Sequence, residues 1–151
     1  MEYLDHIGGP VDGLDIDAEG ALALGGLSTS RLVRDFGSPL FVTLEDVLRS
    51  NVTRLRKSFE DHWPGGVDLF YAIKTNNSLA IRAILNTADV GGECFGETEY
   101  RCTLESGVPG ARIIVNGSDK TAALLEKAVA NGSVINIDST QEVEILERIA
   151  R

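Results

Sequence analysis

The sequence predicts an α/β fold built on a parallel sheet, and three observations carry that prediction. Four short apolar runs, DLFYAI at 68–73, VGGECF at 90–95, RIIV at 112–115 and VINI at 134–137, each lead through a polar residue or turn into a helical pattern. The residues at or just beyond their ends, Lys74, Phe95, Asn116 and Asp138, are separated by 21, 21 and 22 residues. Strand and helix alternating at that period require parallel strands joined by right-handed crossovers. An open doubly wound sheet and a (β/α)8 barrel both satisfy this. The nearly uniform unit length, without a long excursion at a switch point, favours the barrel.

The elements follow in order. No Lys or Arg precedes Arg31, whereas Glu2, Asp5, Asp12, Asp15, Asp17 and Glu19 all do. LDID at 14–17 and ALAL at 21–24, separated by an acidic, glycine-containing turn, predict a small β-hairpin. Ser28 or Ser30 caps a short helix through Phe36, which Gly37 ends, and Pro39 keeps helix from resuming. LFVT at 40–43 reads as a strand. Thr43, with Asp46 three residues on, opens a helix whose Leu44, Val47, Leu48, Val52, Leu55 and Phe59 keep helical spacing until Pro64-Gly65-Gly66. Helices are then expected from Ser78 through Leu85, Glu97 through Glu105 and Asp119 through Ala130, with Gly107 and Gly132 as stops. A last one begins at Ser139, where Glu142 completes a capping box ahead of Val143, Leu146 and Ile149.

Composition excludes several functions. The chain has 151 residues, of which 43% are hydrophobic, and 23 acidic against 14 basic side chains give a formal charge of -9. Nucleic-acid backbones and anionic membranes demand clustered Lys and Arg, so neither is expected as a partner. No apolar run reaches the ~18 residues of a membrane span. The N-terminus lacks a basic n-region and an apolar h-region, so a cytoplasmic location is expected. Cys94 and Cys102 are too few for a disulfide framework and form no C-x-x-C pair, so no metal site is expected; they read as fillers of apolar space. His6 and His62 read as exposed residues. N-x-[ST] matches such as those at Asn51, Asn116 and Asn131 mean little without a secretory signal. No G-x-G-x-x-G or P-loop is present, and Gly91-Gly92…Gly96 is spaced wrongly for a phosphate loop.

In either architecture functional residues gather beyond the C-terminal ends of the strands, which points to Lys74, Glu93, Asn116 and Asp138. Lys74 directly follows LFYAI at the mouth of a buried strand. A lysine held there loses hydration, and its neutral amine becomes available as a nucleophile; the same position also suits a lysine that ends a strand and turns to solvent. Glu93 and Glu99 flank the turn after the second run, where a carboxylate can orient an amine or relay a proton. On spacing alone, Glu97 and Glu99 are equally what a helix N-terminus favours.

These residues resemble a known family. Tyr71-Ala72-Ile73-Lys74-Thr75-Asn76 is similar to the Y-A-[VI]-K-[AT]-N strand of the pyridoxal-phosphate-dependent group 2 decarboxylases, which act on diaminopimelate, ornithine or arginine and share an alanine-racemase-like barrel. Gly37-Ser38-Pro39-Leu40-Phe41-Val42 resembles the G-T-P-[LF]-[YF]-V segment leading into that barrel. Glu93 and Glu99 fall on the acidic positions of G-[FA]-[DE]-[VC]-x-S-x-x-E, although Gly96 replaces the usual Ser and Thr98 stands where Gly is common. Asn116-Gly117-Ser118-Asp119-Lys120-Thr121 resembles N-G-x-x-K-[ST], and Ile135-Asn136-Ile137-Asp138-Ser139 matches [VI]-N-[VI]-D-S. The resemblance spans residues 27–151.

The resemblance implies a PLP-dependent carboxy-lyase of amino-acid metabolism, closest in kind to the diaminopimelate decarboxylases of lysine biosynthesis. Lys74 would bond the aldehyde of pyridoxal 5'-phosphate, and Glu93 and Glu99 would lie near Lys74 and the cofactor ring. The substrate would be a small amino acid losing its α-carboxylate, and the complete enzyme a homodimer. Residues 1–27 would belong to a second β-domain, and 28–151 would form about four of the eight βα units of the barrel. The regions that in the family supply a ring-stacking His, a Gly-rich phosphate loop and an acidic partner of the pyridine nitrogen would follow these units. The chain is therefore expected to be an N-terminal portion of a longer enzyme or a truncated gene product, inactive alone. Two other readings stand beside this one: an alanine-racemase-type enzyme, whose motifs after the lysine differ, and a non-catalytic decarboxylase-like fragment acting by association.

Overall fold

A computed structural model of the chain describes residues 13–151; His6 and the acidic residues at 2, 5 and 12 lie outside the described residues. The chain divides into two compact units, Met1–Thr53 and Arg54–Arg151, and the division falls within one helix.

In the first unit β1 (Leu14–Ile16) and β2 (Leu22–Leu24) form the expected antiparallel hairpin, with Leu14 opposite Leu24. Its turn closes on Asp17, whose Oδ1 accepts the N–H groups of Ala21 at 2.7 Å and Glu19 at 3.1 Å. A third strand, β3 (Leu27–Ser28), adds to β2 through Gly25-Gly26. Both glycines hold positive φ, 56° and 79°, the backbone that a tight two-residue hairpin requires. Helix α1 (Thr29–Phe36) follows from Ser28 and ends at Gly37, where φ is 85°. The strand expected at 40–43 is absent: the segment is irregular, pairs with no strand among the described residues, and leaves Phe41 99% exposed. Helix α2 (Glu45–Glu60) comes next.

The second unit carries the parallel sheet. Strands β4 (Phe70–Ala72), β5 (Gly91–Cys94), β6 (Ile113–Val115) and β7 (Val134–Ile135) lie side by side in chain order, all parallel. Each leads into a helix: α3 (Leu79–Thr87), α4 (Glu97–Glu105), α5 (Ala122–Ala130) and α6 (Thr140–Ile149). The fold is α/β, four successive βα units of barrel type preceded by short antiparallel strands. The strands are shorter than the apolar runs. Helix α5 starts later than expected because the Thr121 hydroxyl, not Asp119, takes the first free amide, that of Leu124 at 3.1 Å. Asp119 and Lys120 therefore lie in the loop.

Apolar side chains from both layers make the core: Ile73, Cys94, Ile113 and Val115 from the sheet side meet Tyr100, Leu124 and Ala128 from the helices. Gly92 permits this approach, since a Cβ there would stand 2.7 Å from the Thr103 methyl on α4. At the N-terminal ends of the strands Arg112 bridges Asp68 and Asp89, and Arg56 bonds the Ala88 and Asp89 carbonyls. This end is tied by charge, leaving the opposite end for chemistry. Among the described residues no helix is long and apolar enough to cross a membrane.

Candidate functional site

Lys74 sits in a single 3-10 turn, Ile73–Thr75, that terminates β4. Ile73 is buried beneath the sheet end and Lys74 is exposed, the solvent-facing one of the two settings the sequence left open for it. Among the described residues β4 pairs on one side only, with β5. The Lys74 ammonium lies over the Phe95 ring, Nζ 4.1 Å from the centroid, a cation–π contact. It makes no salt bridge to Glu93 or Glu99.

Glu93 ends a polar row along the same mouth. It lies opposite Ala72 in the ladder, and its Oε1 accepts the Asn116 side-chain N–H at 2.7 Å. Asn116 Oδ1 in turn accepts from the Asn136 side chain, also at 2.7 Å. β5, β6 and β7 thus each bring one polar residue to their C-terminal ends. Asn116 was legible as a strand-end residue; Asn136 was seen only as part of a motif.

Glu99 occupies the third position of α4, and its Oε2 accepts the Phe95 N–H at 2.8 Å, which stabilises the helix start. Glu142 does the same for α6, accepting from the Asp138 N–H at 2.9 Å. Glu142 goes further and pairs with Lys120 Nζ at 3.0 Å, both side chains at most 5% exposed. Burial pushes the Glu142 carboxyl up, but the Asp138 N–H and Lys120 together pull it down further, so it is held below the ordinary value of 4.5. Glu99 Oε1 has no such partner among the described residues. Asp138 itself is exposed. His62 is exposed beside the Ser58 carbonyl, and Cys94 is buried against Thr103 at 3.3 Å, both as expected.

One residue escaped the sequence reading. Arg82, on α3, is 1% exposed behind the mouth and donates to Asn77 Oδ1 and, at 3.3 Å, to the Glu99 carbonyl. Its signal was positional: Ser78, Ile81, Arg82 and Leu85 mark one helical stripe, and Ile81 and Leu85 are buried with it.

The arrangement can supply a primary amine for a carbonyl compound. The next βα unit adds two carboxylates, Glu93 and Glu99, each with one oxygen held and one free of protein hydrogen bonds among the described residues. A lysine at the carboxyl end of a parallel strand, in a run of barrel-type βα units, defines the class as an α/β barrel protein with a strand-end amine. The comparisons with known proteins agree. Residues 46–151 match the family described as the pyridoxal-dependent decarboxylase, pyridoxal binding domain. The chain belongs to this family. The diaminopimelate decarboxylase of Archaeoglobus fulgidus is 28% identical over 134 residues, 89% of this chain and 31% of that protein. The Synechocystis enzyme of the same name is 31% identical over 143 residues, 89% of this chain and 30% of the relative. Among solved structures, diaminopimelate decarboxylase from M. jannaschii superposes with a TM-score of 0.84 at 28% identity, covering 92% of this chain and 33% of that one. The chain spans about a third of the length of these relatives.

Proposed function

We propose that the chain supplies the lysine-bearing part of a decarboxylase of the diaminopimelate type, with Lys74 as the residue that bonds pyridoxal phosphate. The observation that carries this is the exposed Lys74 amine at the carboxyl end of β4, held over the Phe95 ring, with Glu93 and Glu99 supplied by the next βα unit. The donor set fits the cofactor: an amine for its aldehyde, and acceptors for a protonated nitrogen. When bound, pyridoxal phosphate acts as the sink for the electron pair left as a carboxylate departs. The chain's own residues do the rest. The Phe95 face holds the Lys74 ammonium when no carbonyl is bound, Glu93 is oriented through Asn116, and Glu99 offers Oε1 while its Oε2 stays on the Phe95 N–H.

Residues 1–27 are assigned to a β-domain and 28–151 to the barrel domain. The substrate is a small dibasic amino acid, and the whole enzyme is a cytoplasmic homodimer. Incubation with pyridoxal phosphate, borohydride reduction and peptide mass spectrometry test the assignment. A phosphopyridoxyl group on Lys74, lost in Lys74→Ala, is the expected result; modification confined to other lysines overturns it.

A further inference from the structure

Arg82 is buried without a counter-charge. Among the described residues its guanidinium meets no carboxylate: its two Nη atoms bond Asn77 Oδ1 and the Glu99 carbonyl, and Nε has no partner. Burying a cation against neutral acceptors is costly, so the two bonds it does make indicate what it secures. Asn77 belongs to the segment leaving the Lys74 turn, and Glu99 to the first turn of α4.

The unit two further along solves the same problem differently. Lys120 is the fifth residue after β6, as Asn77 is the fifth after β4. Glu142 stands at the third position of α6, as Glu99 does in α4. Lys120 pairs directly with Glu142, so both carboxylate oxygens there are occupied, one by the ammonium and one by the Asp138 N–H. In the lysine-bearing unit the loop position carries a neutral Asn. The cation comes from α3 instead and lands on the backbone oxygen of Glu99, which leaves Oε1 unoccupied.

We propose that Arg82 is a positioning residue of the lysine-bearing mouth: through Asn77 and the Glu99 carbonyl it ties the Lys74 turn to the start of α4 and keeps Glu99 Oε1 open to a protonated nitrogen of a bound ligand. The ligand half of this rests on the assignment of Lys74 as the cofactor-bonding lysine; the clamp does not.

The two are separable by experiment on the 151-residue chain. Without cofactor, Arg82→Met should accelerate amide hydrogen exchange about tenfold in segments 74–78 and 95–100 together, while 113–130 keeps its rates, the size expected for losing a charge-assisted hydrogen bond. Unchanged exchange in either segment, or uniform acceleration across the chain, overturns the clamp. With pyridoxal phosphate and borohydride, labelling of Lys74 relative to the exposed Lys57 should fall about tenfold in Arg82→Met and recover in part in Arg82→Lys. A purely structural role predicts no change in that ratio, and an unchanged ratio overturns the positioning role. Absence of label on Lys74 in the unmodified chain counts against the cofactor assignment, and the exchange result then decides Arg82 alone. Should Arg82→Met fail to fold, Asn77→Ala, which removes one arm and keeps the cation, is read by the same criteria.

Discussion

The Asn116 side-chain amide donates to the Glu93 carboxylate at 2.7 Å while its own oxygen is held by Asn136 at the same distance. The two bonds fix which way the Asn116 amide faces, nitrogen to Glu93 and oxygen to Asn136. The row is therefore directional and ends on a charged acceptor. A hydrogen bond of this kind, partly screened by solvent, stabilises by about 1 kcal/mol. A double-mutant cycle of Glu93→Ala and Asn116→Leu, read by urea unfolding, should return a coupling of about that size. Strict additivity would show that the pair contributes nothing.

The ring beneath Lys74 gives a second prediction. Phe95 lies against Gly117, where φ is 96° and a Cβ would stand 2.9 Å from the Phe95 ring. Gly117 thus sets how low the ring lies, and the ring in turn holds the lysine. In proton NMR the Lys74 Cε protons should be shifted upfield by the ring and return to ordinary positions in Phe95→Leu. Gly117→Ala should reduce the shift and cost about 1–2 kcal/mol, since it adds both backbone strain and a clash. A Lys74 shift indifferent to both changes would place the amine elsewhere.

The βα repeat was legible in the sequence because its signals are local. The Glu97–Glu105 helix and the Ser139–Glu142 cap depend on residues within one turn of each other, and the structure reproduces both. The strand at 40–43 was misread because its existence rests on a ladder partner distant in sequence, which apolar content cannot specify. Lys74 was correctly placed at a strand end, but its exposure depends on which neighbours close the mouth. Arg82 was missed because a charge on a helix ordinarily faces solvent; only its place in the buried stripe betrays it.

Cys94 and Cys102 should differ sharply in reactivity. Cys94 is fully buried, and burial pushes its thiol up to about 11, with Thr103 only partly offsetting this. Iodoacetamide at pH 8 should label Cys102 readily and Cys94 only on unfolding. The raised value also has a sign for stability. Between the ordinary value of 9.0 and about 11 the folded chain keeps a proton that the unfolded chain has lost, so the stabilising contribution of Cys94 is complete below 9 and declines above it. Cys94→Ala should flatten this alkaline decline. Equal labelling of the two thiols in the native chain would contradict the burial of Cys94.

The Lys120–Glu142 pair joins the loop of the third βα unit to the helix of the fourth, with both groups out of solvent and bonded to each other at 3.0 Å. Each group has a further partner, with Lys120 donating to the Gly117 carbonyl and Glu142 accepting the Asp138 N–H. Removing one partner strands a buried charge, so Lys120→Met should destabilise by about 3–5 kcal/mol. The pair also determines an acid response. Because the folded Glu142 is held below 4.5, its contribution is fully present above 4.5, where the unfolded carboxyl is already ionised. It is lost as the pH falls from 4.5 through the lowered folded value, where the native carboxylate finally takes up a proton. Urea unfolding of the unmodified chain and of Glu142→Gln between pH 7 and 3 isolates this component, since Gln keeps the shape and loses the titration. The unmodified chain should lose more stability below pH 4.5 than the Gln variant, and parallel curves would show that the pair is not the ionised bridge described here.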